Sequence, residues 1–285
     1  MARPENDGSV RFLYGTALGR GLLKTIQTLH LDRLAVWFLR SGLSRPYMVR
    51  FAKKNHIPIS KEELKSFPTY RDFFLREREP RPMDTDPGHL VSPCDGWLSA
   101  YGIRPDSSFA IKNSLYRVKD LLGDEALAKN YEGGTCLVFR LCASDYHHYC
   151  YIDDGVQGPN HFIEGQLHSV QPIARQHYPV FTLNRRSWCR MDTDHFGPVI
   201  ETEIGAFIVG GIVNAPEGPM VRGQEKGYFD LAGSTIVLLL EPGRITLRDE
   251  LSAALDTERE IRVEQGQWVA TADMPPARIA FCQGG

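Results

Sequence analysis

The chain has 285 residues, of which 42% are hydrophobic and 24% charged. That balance excludes a disordered or fibrous polymer and gives enough apolar mass for a full core, as one large domain or two small ones. The formal charge of −2 hides an asymmetry. Residues 1–54 carry ten Lys or Arg against Glu5, Asp7 and Asp32, a balance of +7, so the remainder carries about −9. The six cysteines (94, 136, 142, 150, 189 and 282) show no CxxC pair, and no HExxH helix is present, so no metal is expected. No secretory signal peptide is read, and reduced thiols in a cytosolic setting are the plainest expectation.

Residues 10–78 have helical apolar spacing, with breaks at Gly15, Gly19, Gly21, Ser41-Gly42 and Pro58 that predict three or four helices. Leu22, Leu23, Ile26 and Leu29, then Leu34 to Leu39, interleave with Arg20, Lys24, Arg33, Arg40 and Arg45. The unbroken run from Leu34 to Leu39 is far short of the roughly 20 residues that span a bilayer. Two readings stay open for this region: a helical layer packed on the core with a solvated basic face, or an interfacial region with Trp37 at headgroup depth and the cations drawn to anionic lipid. Nucleic acid is a poor partner, since no recognised binding motif accompanies the charge.

The polar connector Glu79-Pro80-Arg81-Pro82-Met83-Asp84-Thr85-Asp86-Pro87 cannot continue a helix. Beyond Leu90 the pattern changes to short β-type runs at 136–141, 149–152, 199–213, 234–240 and 261–263, with one helix expected near Leu115–Tyr131. Helices first and strands after predict an α+β chain: N-terminal helices followed by a mainly antiparallel, sandwich-like or barrel-like β core. The expected organisation is a basic amphipathic helical region over 1–78, a connector over 79–89 and a β-rich catalytic domain over 90–285.

Ala232-Gly233-Ser234-Thr235 stands immediately before the apolar run Ile236–Leu240. The ordinary meaning of Gly-Ser before a strand is a turn. The chemical one is that a rigidly held serine hydroxyl attacks the carbonyl of Gly233, which has no side chain to block it. The amide then becomes an ester. Elimination and hydrolysis would leave a Gly233 C-terminus and a pyruvoyl group at position 234, able to condense with an amine and accept electrons from a departing CO2.

Other segments give weight to the chemical meaning. Val91-Ser92-Pro93-Cys94-Asp95-Gly96, Arg140-Leu141-Cys142-Ala143-Ser144-Asp145-Tyr146-His147-His148, Gly165-Gln166-Leu167-His168-Ser169-Val170-Gln171-Pro172-Ile173-Ala174, Phe181-Thr182-Leu183-Asn184-Arg185-Arg186, Val209-Gly210-Gly211-Ile212 and the Gly-Ser-Thr triplet resemble, in order, segments of the phosphatidylserine decarboxylase family. The resemblance covers roughly residues 10–250. It implies a self-cleaving proenzyme, split between Gly233 and Ser234 into a larger (1–233) and a smaller (234–285) subunit, which decarboxylates phosphatidylserine to phosphatidylethanolamine with a pyruvoyl cofactor derived from Ser234. On this sequence the implied triad is Asp95 as orienting carboxylate, His147 as base and Ser234 as nucleophile, with the chemistry of a serine–histidine–aspartate system. Members often carry a second histidine three residues after the first; here that position is Cys150, which leaves His147 as the first choice and His168 as the reserve. His147 and His148 cannot both face one site if 138–151 is extended.

The expected partners are phosphatidylserine in an anionic membrane, reached from the cytoplasmic face as a peripheral protein, and the two fragments for each other, as a monomer or a homodimer. Alternatives are a pyruvoyl decarboxylase of a soluble amino acid, an uncleaved serine hydrolase, or a non-catalytic lipid-binding relative. Because the β core is distant in sequence from the first 40 residues, self-cleavage is expected to depend on them less than membrane binding does.

Overall fold

The protein was analysed as a computed structural model that describes residues 8–29, 31–79, 81–111, 114–206, 211–231, 234–257 and 259–273. Gly233, residues 207–210 of the Val209-Gly210 segment, and Cys282 lie outside the described residues.

The first part is helical: α1 (Gly8–Gly15), α2 (Ala17–Thr28), α3 (Asp32–Leu39), α4 (Arg45–Lys54), α5 (Lys61–Ser66) and α6 (Tyr70–Phe74). Six helices replace the three or four expected, because capping residues cut the apolar pattern more finely than its period shows. Thr16, Ser60 and Thr69 each accept a backbone N–H of the next turn (Gly19, Glu63 and Asp72) with the side-chain oxygen, starting α2, α5 and α6. Gly19 lets α2 close on α1: a Cβ there would stand 2.0 Å from the Phe12 carbonyl oxygen.

The second part is β-rich. Its main strands in chain order are β1 (Gly96–Gly102), β2 (Thr135–Leu141), β3 (His148–Cys150), β4 (Gly155–Gln157), β5 (Arg186–Thr193), β6 (Gly197–Ile204), β7 (Gly211–Asn214), β8 (Glu225–Asp230), β9 (Ser234–Leu240) and β10 (Ile261–Val263). A nine-stranded sheet runs Gly218–Met220, β4, β5, β6, β9, β2, β1, β10, with His161–Ile163 also pairing β5, and every strand pair in it is antiparallel. The order β7-β8-β3 forms a separate three-stranded sheet, and His89–Val91, Trp268–Ala272 and Ile245–Leu247 form another. The core is therefore layered, and the described strands do not close into a barrel. The stretch expected as one helix near Leu115–Tyr131 begins as the strand Ser114–Arg117, and its helical remainder is broken at Gly123, which sits at φ +71.

β9 lies between β6 and β2 with all seven residues buried. Its alternation feeds two cores: Ile236, Leu238 and Leu240 join a cluster with Leu141, Tyr149 and Phe229, whereas Val237 and Leu239 join one with Tyr14, Leu23, Phe181 and Trp188. At roughly 2 kcal/mol for each fully buried aliphatic side chain, Ile236 to Leu240 contribute on the order of 10 kcal/mol to holding this strand in place. A third cluster belongs to the helices, with Met48, Ala52, Tyr70, Phe73 and Phe74, and it also takes in Leu231 from the segment entering β9.

Candidate active site

The register brings three sequence-distant positions to one end of the large sheet. Ser234, the first residue of β9, stands opposite Leu141, the last of β2, while Asp95 immediately precedes β1, which pairs with β2 on its other side. Gly96 is required at that join, because a Cβ there would lie 2.9 Å from the Arg140 carbonyl oxygen. Ser234 shares the orientation of Ile236 and Leu238, toward the face that holds Phe229 and Tyr149.

His147 lies on that same side. The turn after β2 is shaped by Asp145, whose carboxylate accepts from the Cys142 N–H at 2.7 Å and pairs with Arg262 at 2.9 Å. The Asp145 carbonyl then accepts from His147 Nδ1 at 2.9 Å. Since a carbonyl only accepts, Nδ1 carries the proton and Nε2 keeps its lone pair. The ring is fully buried, packed at a tilt against Phe74 at 4.3 Å between centroids, and edge-on to Phe229 at 6.5 Å. Burial pushes its pKa down to about 3, so the imidazole is neutral at physiological pH. Among the described residues, neither His147 Nε2 nor Ser234 Oγ has a hydrogen-bond partner, and both atoms are buried. Buried polar atoms are nearly always satisfied. An imidazole nitrogen with a free lone pair, beside Phe74 and Phe229, and an unpartnered hydroxyl at the start of β9 are therefore both present among the described residues.

Asp95 takes up a different geometry from the orienting role expected of it. Its carboxylate accepts from Arg78 Nη1 at 2.5 Å, Arg81 Nη1 at 3.2 Å and the Gln265 N–H at 2.9 Å. Burial alone would raise its pKa, but Arg78, the Gln265 N–H and Arg81 outweigh that and hold the group below the ordinary carboxylate range. No hydrogen bond joins it to His147 among the described residues: the Asp145 carbonyl, not Asp95, orients the ring. Asp95 acts on the imidazole only through space, as a fixed negative charge that favours imidazolium.

The other candidates separate cleanly. His148 faces away, with Nδ1 at 2.8 Å from Glu225 and Nε2 donating to the Leu75 carbonyl at 3.2 Å, so the two histidines diverge. His168 packs with Tyr14 and Tyr178 on the side of the second core, both ring nitrogens partnered: Nε2 donates to Gln166 at 2.7 Å and Nδ1 accepts from the Tyr14 hydroxyl at 3.4 Å. Cys150 is buried, and burial pushes its thiol up to about 12. It is a neutral packing residue at physiological pH.

Residues that sequence reasoning passed over complete the surroundings. Arg78 and Arg81 lie at the connector, in a charged run that reads as solvated, yet they hold Asp95. Arg140, opposite Thr235, forms a bidentate pair with Glu260 at 3.0 and 2.7 Å, and Arg175 joins the same carboxylate at 3.1 Å. This buried triad ties the chain before Ser234 to the chain after it. The first 40 residues, expected to matter less to self-cleavage than to membrane binding, do reach this region: Arg40 pairs at 2.7 Å with Asp230, four residues before Ser234.

A serine at the head of a central strand, a buried neutral histidine and a fixed aspartate make a candidate serine–histidine centre in an α+β fold. Comparison with known proteins narrows it. A family profile described as phosphatidylserine decarboxylase matches residues 70–271. The chain is 38% identical over 264 residues to phosphatidylserine decarboxylase proenzyme 2 of Clostridium acetobutylicum, covering 92% of this chain and 91% of that one. It is 36% identical to a phosphatidylserine decarboxylase proenzyme of Desulfitobacterium hafniense, covering 85% and 84%, and 33% identical to that of Clostridium beijerinckii, covering 92% of each. The chain belongs to the phosphatidylserine decarboxylase family.

Proposed function

We propose that this chain is a proenzyme that cuts itself between Gly233 and Ser234 and then decarboxylates phosphatidylserine to phosphatidylethanolamine. The observation that carries the reading is that Ser234 Oγ, at the head of β9, and His147 Nε2, whose ring lies edge-on to Phe229 of β8, are both buried and without a partner among the described residues. The Ser234 hydroxyl is buried and adjoins its own peptide bond, so the Gly233 carbonyl is the electrophile nearest to it along the chain. His147 Nε2 takes the Oγ proton as the oxygen bonds to the Gly233 carbonyl carbon, and returns it to the amide nitrogen as the C–N bond breaks, leaving an ester. Loss of the Ser234 α-proton then expels the Gly233 carboxylate, and water replaces the freed nitrogen, which leaves as ammonia. Asp95 stabilises the transient imidazolium through space.

The residues fit a pyruvoyl group at 234, since the orphaned Oγ is the atom its formation consumes. When present, that group supplies an electron sink for the carbanion left by loss of CO2 from an amine-bearing carboxylate. We assign His147 the delivery of a proton to that carbanion, one that Nε2 must first take up because it holds none at rest. β9 remains paired on both edges, and Glu260 remains bound to Arg140 and Arg175, so the two fragments stay together.

A lipid substrate is favoured over a soluble amino acid by the helical layer. Among the described residues, ten of the sixteen exposed large apolar side chains lie in residues 12–49, among them Leu18 at 76% and Trp37 at 63%, within the segment of +7 charge. No described helix is long and apolar enough to cross a membrane, so this face would lie in the interface as a peripheral contact. A denaturing gel tests the proposal: wild type should run as two bands, Ser234→Ala as one, and an uncut wild-type chain in folded protein would overturn it.

A further inference from the structure

β8 and β9 belong to different sheets, and the chain passes between them through residues 231–233. This crossing contains the Gly233–Ser234 bond. Its described start is held with unusual firmness. Asp230, 5% exposed, accepts from Arg40 Nη2 at 2.7 Å and from Arg71 Nε at 2.8 and 3.0 Å. The next residue, Leu231, is fully buried among the helices with Met48, Tyr70, Phe73 and Phe74, and it has φ +68. A branched aliphatic residue in the left-handed region is uncommon and persists only where its surroundings impose it.

The same short helix reaches the base. In α6, Arg71 and Phe74 are three residues apart and so project from one face. Arg71 grips Asp230 while Phe74 packs against His147. β8 is joined to the histidine directly as well, the Phe229 N–H donating to the His147 carbonyl at 3.0 Å.

We propose that the helical layer is a positioning device for self-cleavage: Arg40 and Arg71 clamp Asp230, Leu231 is anchored in a left-handed turn, and together they fix the path of the scissile segment relative to His147. This rests on the self-cleavage proposed above. Asp230, Leu231, Arg40 and Arg71 are positioning residues, since none donates to or accepts from Ser234 or His147 side-chain atoms.

The test follows cleavage of freshly synthesised chain over time on denaturing gels. Asp230→Asn, which keeps shape and removes charge, and the double variant Arg40→Gln/Arg71→Gln, which empties the clamp from its half-exposed side, should each cleave about tenfold more slowly or worse, as expected when reacting groups lose alignment. Leu231→Gly, which removes both anchor and conformational constraint, should do the same. Asp230→Glu should recover most of the rate. Folding is compared in the uncut Ser234→Ala background, where the Asp230 substitutions and the double arginine variant should leave a cooperative thermal transition within a few degrees of the parent, and Leu231→Gly a lower but still cooperative one. An uncut wild-type chain would overturn self-cleavage itself. A cleaving wild type with Asp230→Asn and the double variant cutting at the same rate would overturn the clamp alone. So would slow cleavage that tracks loss of folding and is not recovered by Asp230→Glu.

Discussion

If His147 is the base of the proposed self-cleavage, its burial sets the pH dependence of that reaction. An exposed histidine, with pKa near 6.5, would be only about 3% neutral at pH 5 and about 90% neutral at pH 7.5, so a reaction needing its neutral form would slow roughly thirtyfold between them. Burial lowers the His147 value to about 3. The sign follows directly: a base whose pKa is depressed stays neutral to lower pH, and at pH 5 about 99% of the chains keep the Nε2 lone pair by the same relation. Asp95 adds no acid limb in this range, because Arg78, Gln265 and Arg81 hold it ionised below the ordinary carboxylate range. The rate of appearance of the two fragments, followed after cell-free synthesis and transfer to buffers between pH 5 and 8, should therefore change less than about threefold. An acid limb with a midpoint near 6.5 would refute the assignment of this buried imidazole as the base, and would point to a better hydrated one.

Cys150→Ser should cleave within about twofold of wild type, since a thiol held near 12 contributes no base, and a gel time course checks it. Glu260→Ala should destabilise the uncut Ser234→Ala chain by about 3–5 kcal/mol in urea unfolding, because it leaves the Arg140 guanidinium buried without its carboxylate. The protein should sediment with anionic vesicles at low salt and be partly released at high salt as the Debye length shrinks, with residual binding through Trp37 and its apolar neighbours. Equal sedimentation with neutral and anionic vesicles at every salt concentration would contradict the electrostatic part of that contact.

The strand that carries Ser234 was legible because Ile236–Leu240 is an uninterrupted apolar run, the pattern of a strand buried on both faces. The strand before it, β8, was not, since Glu225-Lys226-Gly227 reads as a polar loop. In the fold Lys226 is fully buried against Glu203 of β6, a match between two strands that neither segment displays alone. β1 and β5 were hidden similarly by serine, glycine, arginine and aspartate among their apolar residues. Motif order named Asp95, His147 and Ser234 as one candidate site, but residue types could not reveal how they are wired. A backbone carbonyl holds His147, and two connector arginines occupy Asp95. Nor could sequence distance reveal that α6 reaches both His147 and Asp230.

Intact-mass analysis of the purified, folded protein tests the central claim most directly. The account predicts a larger fragment ending at Gly233 and a smaller one beginning at position 234 with a pyruvoyl group in place of serine, so that its N-terminus is blocked to Edman chemistry. A single full-length mass, or a smaller fragment that begins with an unmodified Ser234, would contradict it.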